Sequence, residues 1–259
     1  METCYITLYE RSGGVPRFEC TEYCKKIKDY VVFIPMVRER MAMELSRRRD
    51  GFHPVTDYAD MVICGDGPMD RGLNDSCMQK LGVNALLVKR DAGKQGARLR
   101  AGFWWALQRG YRGIITVDEN SEECMWHVPR LIEKLADGYD LVQGSRFAKE
   151  KAMNRPLVQN IYARIISMTA RSKFTDAVSP LRGYSSKYLG DQRVQPFREC
   201  FLTHDLQAYL SVRASQTGFR VCEIPIADVQ RRWEKGPEGM MAVLLKNAMG
   251  AYAPDKDVR

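Results

Sequence analysis

Gly113-Ile-Ile-Thr-Val-Asp-Glu-Asn120 is the stretch on which the reading of the chain turns. Ile114, Ile115, Thr116 and Val117 make an apolar, β-branched strand that ends in an acid and an amide, with a short strand at 141–143 and Gly144-Ser145-Arg146 downstream. An open α/β sheet places its ligand at the carboxyl ends of such strands. Asp118 and Asn120 are hard oxygen donors suited to a divalent cation, Mg2+ or Mn2+, that carries phosphates. A nucleotide-diphosphate compound is therefore the expected ligand class. An isolated Asp-x-Asn more often opens a turn and caps a helix, so the weight falls on what surrounds it.

Working outward, 30–36 reads as a buried strand closed by Pro35, and 38–49 as a polar-faced helix. Strands at 59–64 and 85–88 follow, separated by a Gly65-Asp66-Gly67-Pro68 break and a helix at 73–81. The helical spacing of Leu99, Phe103 and Leu107 over 96–109 delivers the chain to the 113–117 strand. Strands alternating with helices imply a largely parallel sheet with right-handed crossovers, an α/β fold. Beyond it, 128–135 reads as helix, 141–143 as strand and 157–170 as helix. A loop then holds Asp176, Ser179 and Arg182, followed by a helix at 205–216, a strand at 220–226 and a helix at 240–249. Residues 1–27 show no clear period and read as an irregular extension. A single domain is expected over 28–250, with a donor half at 28–120, an acceptor half at 121–250 and a tail at 251–259.

The chain has 259 residues, 45% of them hydrophobic, enough for a sizeable core. No apolar run approaches the ~18 residues of a membrane span, and the amino terminus lacks a signal segment, so a cytoplasmic protein is expected. The eight cysteines are scattered and have no matching pair or histidine cluster for zinc. The net charge of +8 suits anionic partners: nucleotide phosphates, an acidic membrane surface or nucleic acid.

Seven segments in order resemble the family-2 glycosyltransferases of GT-A fold, above all the dolichyl-phosphate mannose synthase and polyprenyl-phosphate glycosyltransferase branch. Val32-Phe-Ile-Pro-Met-Val-Arg-Glu39 stands where the family has a strand ending in Pro-x-x-Asn-Glu. Met61-Val-Ile-Cys-Gly-Asp-Gly-Pro-Met-Asp-Arg-Gly72 parallels Asp-Asp-Gly-Ser-x-Asp-Gly. Asp91-Ala-Gly-Lys-Gln-Gly-Ala97 resembles Gly-Lys-Gly-x-Ala, and Asp118-Glu-Asn120 the metal-binding Asp-x-Asp. Gly144-Ser-Arg-Phe147, Asp176-Ala-Val-Ser-Pro-Leu-Arg182 and Gly218-Phe-Arg-Val-Cys-Glu-Ile-Pro-Ile226 complete the series.

The resemblance implies a metal-dependent inverting transfer of a sugar from a nucleotide-diphosphate donor to a phosphate-bearing acceptor, a polyprenyl phosphate. It implies donor contacts from Pro35, Glu39, Asp66, Gly93, Lys94, Gly96, Asp118 and Arg182, and metal contacts from Asp118 and Asn120. Acceptor contacts would come from Ser145, Arg146 and Arg155, with Asp118, Asp205, Arg146 and Arg182 at the chemistry. Charge building on the leaving diphosphate needs cations and guanidinium groups to meet it. Two alternatives stay open. The acceptor is a hydroxyl on a metabolite or modified nucleic acid, with Asp205 as the base, or the chain is a non-catalytic binding subunit. Gly65 in place of the family's first Asp, and Asn120 in place of its third metal-motif residue, favour the latter. Without a membrane span, a lipid acceptor requires peripheral membrane contact or a membrane partner.

Overall fold

The computed structural model describes residues 5–35, 53–66, 78–91, 94–118, 122–149, 157–226, 240–248 and Gly250. The decisive strand is β6 (Gly113–Val117), buried along its whole length. It lies parallel to β3 (Tyr30–Pro35), with Tyr30 opposite Gly113 and Phe33 opposite Thr116. On the other flank of β3, β4 (Asp60–Asp66) and β5 (Ala85–Lys89) continue the parallel array. The chain winds outward from β3 to β5, then returns to the far side of β3 as β6. Strand order reverses there, which opens a crevice at the carboxyl ends of β3 and β6.

Alternate residues of β3 serve the two faces of the sheet. Val31 and Phe33 join one apolar cluster, and Tyr30, Val32 and Ile34 the other. Burial on both faces is what a parallel sheet demands, and it explains why its strands read as continuous apolar runs. The short α1 (His53–Thr56) contributes Val55 to the second cluster, and α2 (Gln95–Gln108) contributes Leu99 and Phe103 to the first. α2 packs so closely that a Cβ on Gly102 would come within 2.1 Å of the Phe33 ring. α3 (Val128–Ala136) returns to the second face through Val128, Leu131 and Leu135.

Two expectations are corrected at the flanks. Residues 1–27 are not irregular throughout: β1 (Tyr5–Tyr9) and β2 (Phe18–Glu22) form an antiparallel pair, and β2 extends the sheet beyond β5. Phe18 and Cys20 are wholly buried while the residues between and after them are half-exposed, a period of two obscured in sequence by Gly13, Gly14 and Pro16. The loop expected around Arg182 holds a strand, β8 (Leu181–Ser185), antiparallel to both β6 and β7 (Leu141–Ser145). An arginine and a glycine inside five residues conceal a strand that is nonetheless buried. β9 (Val221–Pro225) then runs parallel to β7. Among the described residues the nine-stranded order is β1-β2-β5-β4-β3-β6-β8-β7-β9, parallel at its centre.

The later helices form where their spacing predicts. α4 (Leu157–Ala170) and α6 (Asp205–Gln216) put Tyr162, Ile166, Leu206 and Leu210 into the first cluster, with the single-turn α5 (Ser186–Leu189) between them. α7 (Met240–Ala248) packs on both α4 and α6. The expected 38–49 helix, and most of that at 73–81, lie outside the described residues. Among the described residues no helix is long and apolar enough to cross a membrane.

Candidate active site

β8 runs against its neighbours, so its amino end meets the carboxyl ends of β3, β4, β6 and β7 at one edge of the sheet. Pro35 and Asp66 close β3 and β4, Asp118 follows β6, Ser145 ends β7 and Arg146 follows it. Topology alone gathers these residues from across more than a hundred positions of sequence.

Asp118 is partly exposed, and its backbone N–H donates to the Pro180 carbonyl at 2.9 Å, which ties it to the loop entering β8. The Gln95 amide, in the first turn of α2, reaches the Asp118 carboxylate at 3.5 Å. The loop that holds Asp118 is itself held from three directions. Glu223 accepts from the Thr175 N–H at 2.8 Å, the Thr175 hydroxyl at 2.6 Å and the Asp176 N–H at 3.3 Å. Burial pushes the Glu223 carboxyl above its ordinary value, against the lowering effect of these donors. Ser179 Oγ donates to the Leu181 carbonyl and accepts from its N–H, and Arg182 donates to the Ala177 carbonyl at 3.1 Å.

Arg146 is where the structure departs most from the sequence reading. Its Nε and Nη2 donate to the two Asp176 carboxylate oxygens at 2.7 and 2.8 Å, and Nη2 also donates to the Val178 carbonyl at 2.7 Å. Both side chains are buried, at 1% and 0% exposure. A guanidinium bound edge-on to an internal carboxylate is not presented to an acceptor phosphate, so the expected phosphate grip is corrected to a positioning role for the 176–182 loop. Ser145 is corrected likewise: its buried hydroxyl pairs with Thr175 Oγ1 at 2.6 Å and accepts from the Phe147 N–H.

Arg182 is the opposite case. It is 3% exposed, and its polar partners are the Gln143 side-chain oxygen at 3.2 Å and the Ala177 carbonyl. Among the described residues it makes no ion pair with a carboxylate. Gln143 is pinned in turn by the Ser211 hydroxyl at 3.0 Å and by its own donation to the Asp176 carbonyl. Thr116, next but one before Asp118, faces Arg182 across β6 and β8. A buried guanidinium fixed by neutral oxygens alone carries a charge still to be matched.

At the start of α6, Asp205 is buried and its two oxygens accept from the Leu202 and Thr203 N–H groups at 3.1 and 2.6 Å. It closes the turn before the helix, at the position where a base is expected from the sequence. The neighbouring His204 is not among the candidates that the sequence offers. Burial, and then the Arg182 charge, hold its imidazole below the ordinary value of 6.5. His204 is one of only three histidines in the chain, the one signal that could have drawn attention to it. Gly96 is also corrected: its N–H donates to the Leu202 carbonyl, and a Cβ there would lie 2.4 Å from the Phe201 carbonyl oxygen. The glycine lets α2 meet the 201–204 turn, where a ligand approach was expected. Lys94 caps α2 with an exposed side chain. Glu39, Gly93, Asn120 and Arg155 lie outside the described residues, as does the side chain of Asp66.

Among the described residues no group of three or more His, Cys, Asp or Glu could hold a metal ion. The partly exposed Asp118 carboxylate at the strand end is nonetheless a hard donor suited to a divalent cation, and Asn120 would supply a second oxygen.

No protein-family model matches the chain. It is 24% identical over 228 residues to the undecaprenyl-phosphate 4-deoxy-4-formamido-L-arabinose transferase of Edwardsiella ictaluri, which covers 85% of this chain and 66% of that protein. The chain thus spans just under two thirds of that relative's length. It is 28% identical over 230 residues to the polyprenol monophosphomannose synthase of Mycolicibacterium smegmatis, covering 85% and 83%. It is 26% identical over 183 residues to the dolichyl-phosphate hexose transferase of Haloferax volcanii, covering 70% and 75%. In fold it resembles glucosyl-3-phosphoglycerate synthase from Mycobacterium tuberculosis, solved with Mn2+, UDP and phosphoglyceric acid, at a TM-score of 0.60 and 14% identity over 88% of this chain and 80% of that one. A sheet that reverses at β3, an acid at the end of β6 and these comparisons agree: the chain is similar in sequence to lipid-phosphate sugar transferases and is built on the GT-A fold.

Proposed function

We propose that the chain transfers a sugar from a nucleotide-diphosphate donor to a polyprenyl phosphate, with inversion at the anomeric carbon. One observation carries the donor half: Arg182, a buried guanidinium with only neutral partners among the described residues, lies opposite Thr116, two residues before Asp118, near the ligand edge of the sheet. A diphosphate supplies the charge that Arg182 lacks. The sequence relatives, named for polyprenyl phosphates, support the acceptor half.

In this reading the 28–120 half, joined by Arg182 from the second half, holds the donor, and the rest of the 121–250 half holds the acceptor. As the bond from the anomeric carbon to the diphosphate breaks, negative charge grows on the leaving oxygen, and Arg182 meets it from a preset position that needs no reorganisation. Gln143 and the Ala177 carbonyl keep the guanidinium in place, and the Arg146 and Asp176 pair keeps the loop in place. Asp118 with Asn120 would hold a divalent cation, which when bound neutralises charge on the diphosphate. The acceptor phosphate oxygen attacks the anomeric carbon as the donor bond opens. It is already anionic, so no base is required, in keeping with an Asp205 whose oxygens both serve its own turn.

The test is a panel of sugar nucleotides incubated with the protein and a polyprenyl phosphate, with and without Mn2+, scored for lipid-linked sugar by mass spectrometry. Metal-stimulated product from one donor is expected. Transfer to water or to hydroxyl acceptors alone overturns the lipid-phosphate reading, and the absence of any donor turnover returns the chain to a binding role.

A further inference from the structure

Away from the sheet edge, α4 breaks the usual rule for a surface helix. It turns Gln159, Tyr162, Ala163, Ile166 and Ala170 inward, which leaves positions 157, 161, 164 and 168 exposed in a single stripe. On a helix facing water that stripe is polar. Here it holds Leu157 at 75% exposure, Ile161, Arg164 and Met168 at 80%. α7 packs alongside and leaves Leu245 and Lys246 exposed. Neither helix contains an Asp or Glu. Arg171 and Lys173, both exposed, follow α4 directly, and the sequence from Lys151 to Thr175 carries basic residues and no acidic one.

Apolar side chains set among cations, with no carboxylate on either helix, match the boundary of an anionic bilayer. Leucine, isoleucine and methionine enter the acyl region, while arginine and lysine lie among the headgroups. We propose that the exposed α4 stripe and the adjoining α7 residues form a docking surface for an anionic lipid membrane. This deepens the lipid-acceptor reading and rests on it for its purpose, since a polyprenyl phosphate is reached only from a membrane surface. Its geometry stands separately from the transfer site.

The experiment is co-sedimentation of the full chain with vesicles of phosphatidylcholine alone or with about a third phosphatidylglycerol. Binding to the anionic vesicles, weakened by salt, is expected. Leu157→Glu with Met168→Glu, and separately Arg164→Gln with Lys173→Gln, should each lower partitioning by roughly tenfold or more, at an unchanged melting temperature. Transfer measured in detergent on a short-chain polyprenyl phosphate separates the two ideas. Variants that lose vesicle binding and keep detergent activity support the docking surface. Wild-type protein that is active in detergent and ignores anionic vesicles overturns it and leaves the proposed function standing. Vesicle binding without turnover of any donor fells the function and leaves the surface. A dimer that Met168→Glu converts to monomer, with no vesicle binding, overturns the proposal and assigns the stripe to a second copy of the chain.

Discussion

Two buried arginines lie within one network, and the structure predicts opposite fates for their replacement. Arg146→Met strands the Asp176 carboxylate at 0% exposure, with its remaining donors the backbone N–H groups of Arg146 and Val178, each at 3.2 Å. The change removes two charge-assisted hydrogen bonds, and breaking one partner of a buried pair costs about 3–5 kcal/mol. Against a typical total of about 5–15 kcal/mol, that is a large fall in the urea midpoint. Arg182→Met takes away a charge that has no described counter-ion and leaves Gln143 still bonded to Ser211. Its stability should stay within about 1–2 kcal/mol of wild type, while affinity for a nucleoside diphosphate falls about 30- to 100-fold, equivalent to ~2–3 kcal/mol. Urea unfolding and calorimetry on the same preparations read both effects. Replacing both members of the first pair, Arg146→Met with Asp176→Leu, should recover most of the lost stability because no lone charge remains. The reasoning fails if Arg146→Met costs under about 1 kcal/mol, or if Arg182→Met binds the diphosphate as wild type does.

Three further outcomes are expected. Asp118→Ala should remove the Mn2+ dependence of nucleotide binding in calorimetry and abolish transfer, and an unchanged metal dependence would refute its metal role. Asp205→Ala frees the Leu202 and Thr203 N–H groups and should cost about 1–2 kcal/mol in urea unfolding, while turnover per folded molecule on a lipid phosphate persists; a dead but stable variant would restore Asp205 as a base. Because the folded state holds His204 below 6.5, the unfolded chain binds the proton more readily, so its contribution to stability is present above 6.5 and is lost as pH falls below that value. The wild-type melting temperature should therefore drop from pH 7 to pH 5 more steeply than that of His204→Gln, and taking the difference between the two curves removes the opposite trend from Glu223.

The sequence by itself determined the central parallel strands, the helices after 95 and the placing of Asp118 at a strand end. These follow from local facts. Tyr30–Pro35 and Gly113–Val117 are buried on both faces, so they read as nearly continuous apolar runs, and α2, α4 and α6 carry helical spacing within their own spans. Only the tertiary structure decided what Leu181–Ser185 and the first two strands are. β8 pairs with β6 and β7, and β2 joins the β1–β2 hairpin to β5, all far off in sequence, and this pairing supplies the burial that their composition hides. The same holds for the site. Arg146 and Arg182 look alike in a sequence, each the arginine of a short motif, yet one closes on Asp176 from thirty residues away while the other is left with neutral partners. Residue type fixes which charges a chain carries, and only the folded geometry fixes which of them are already answered and which await a ligand.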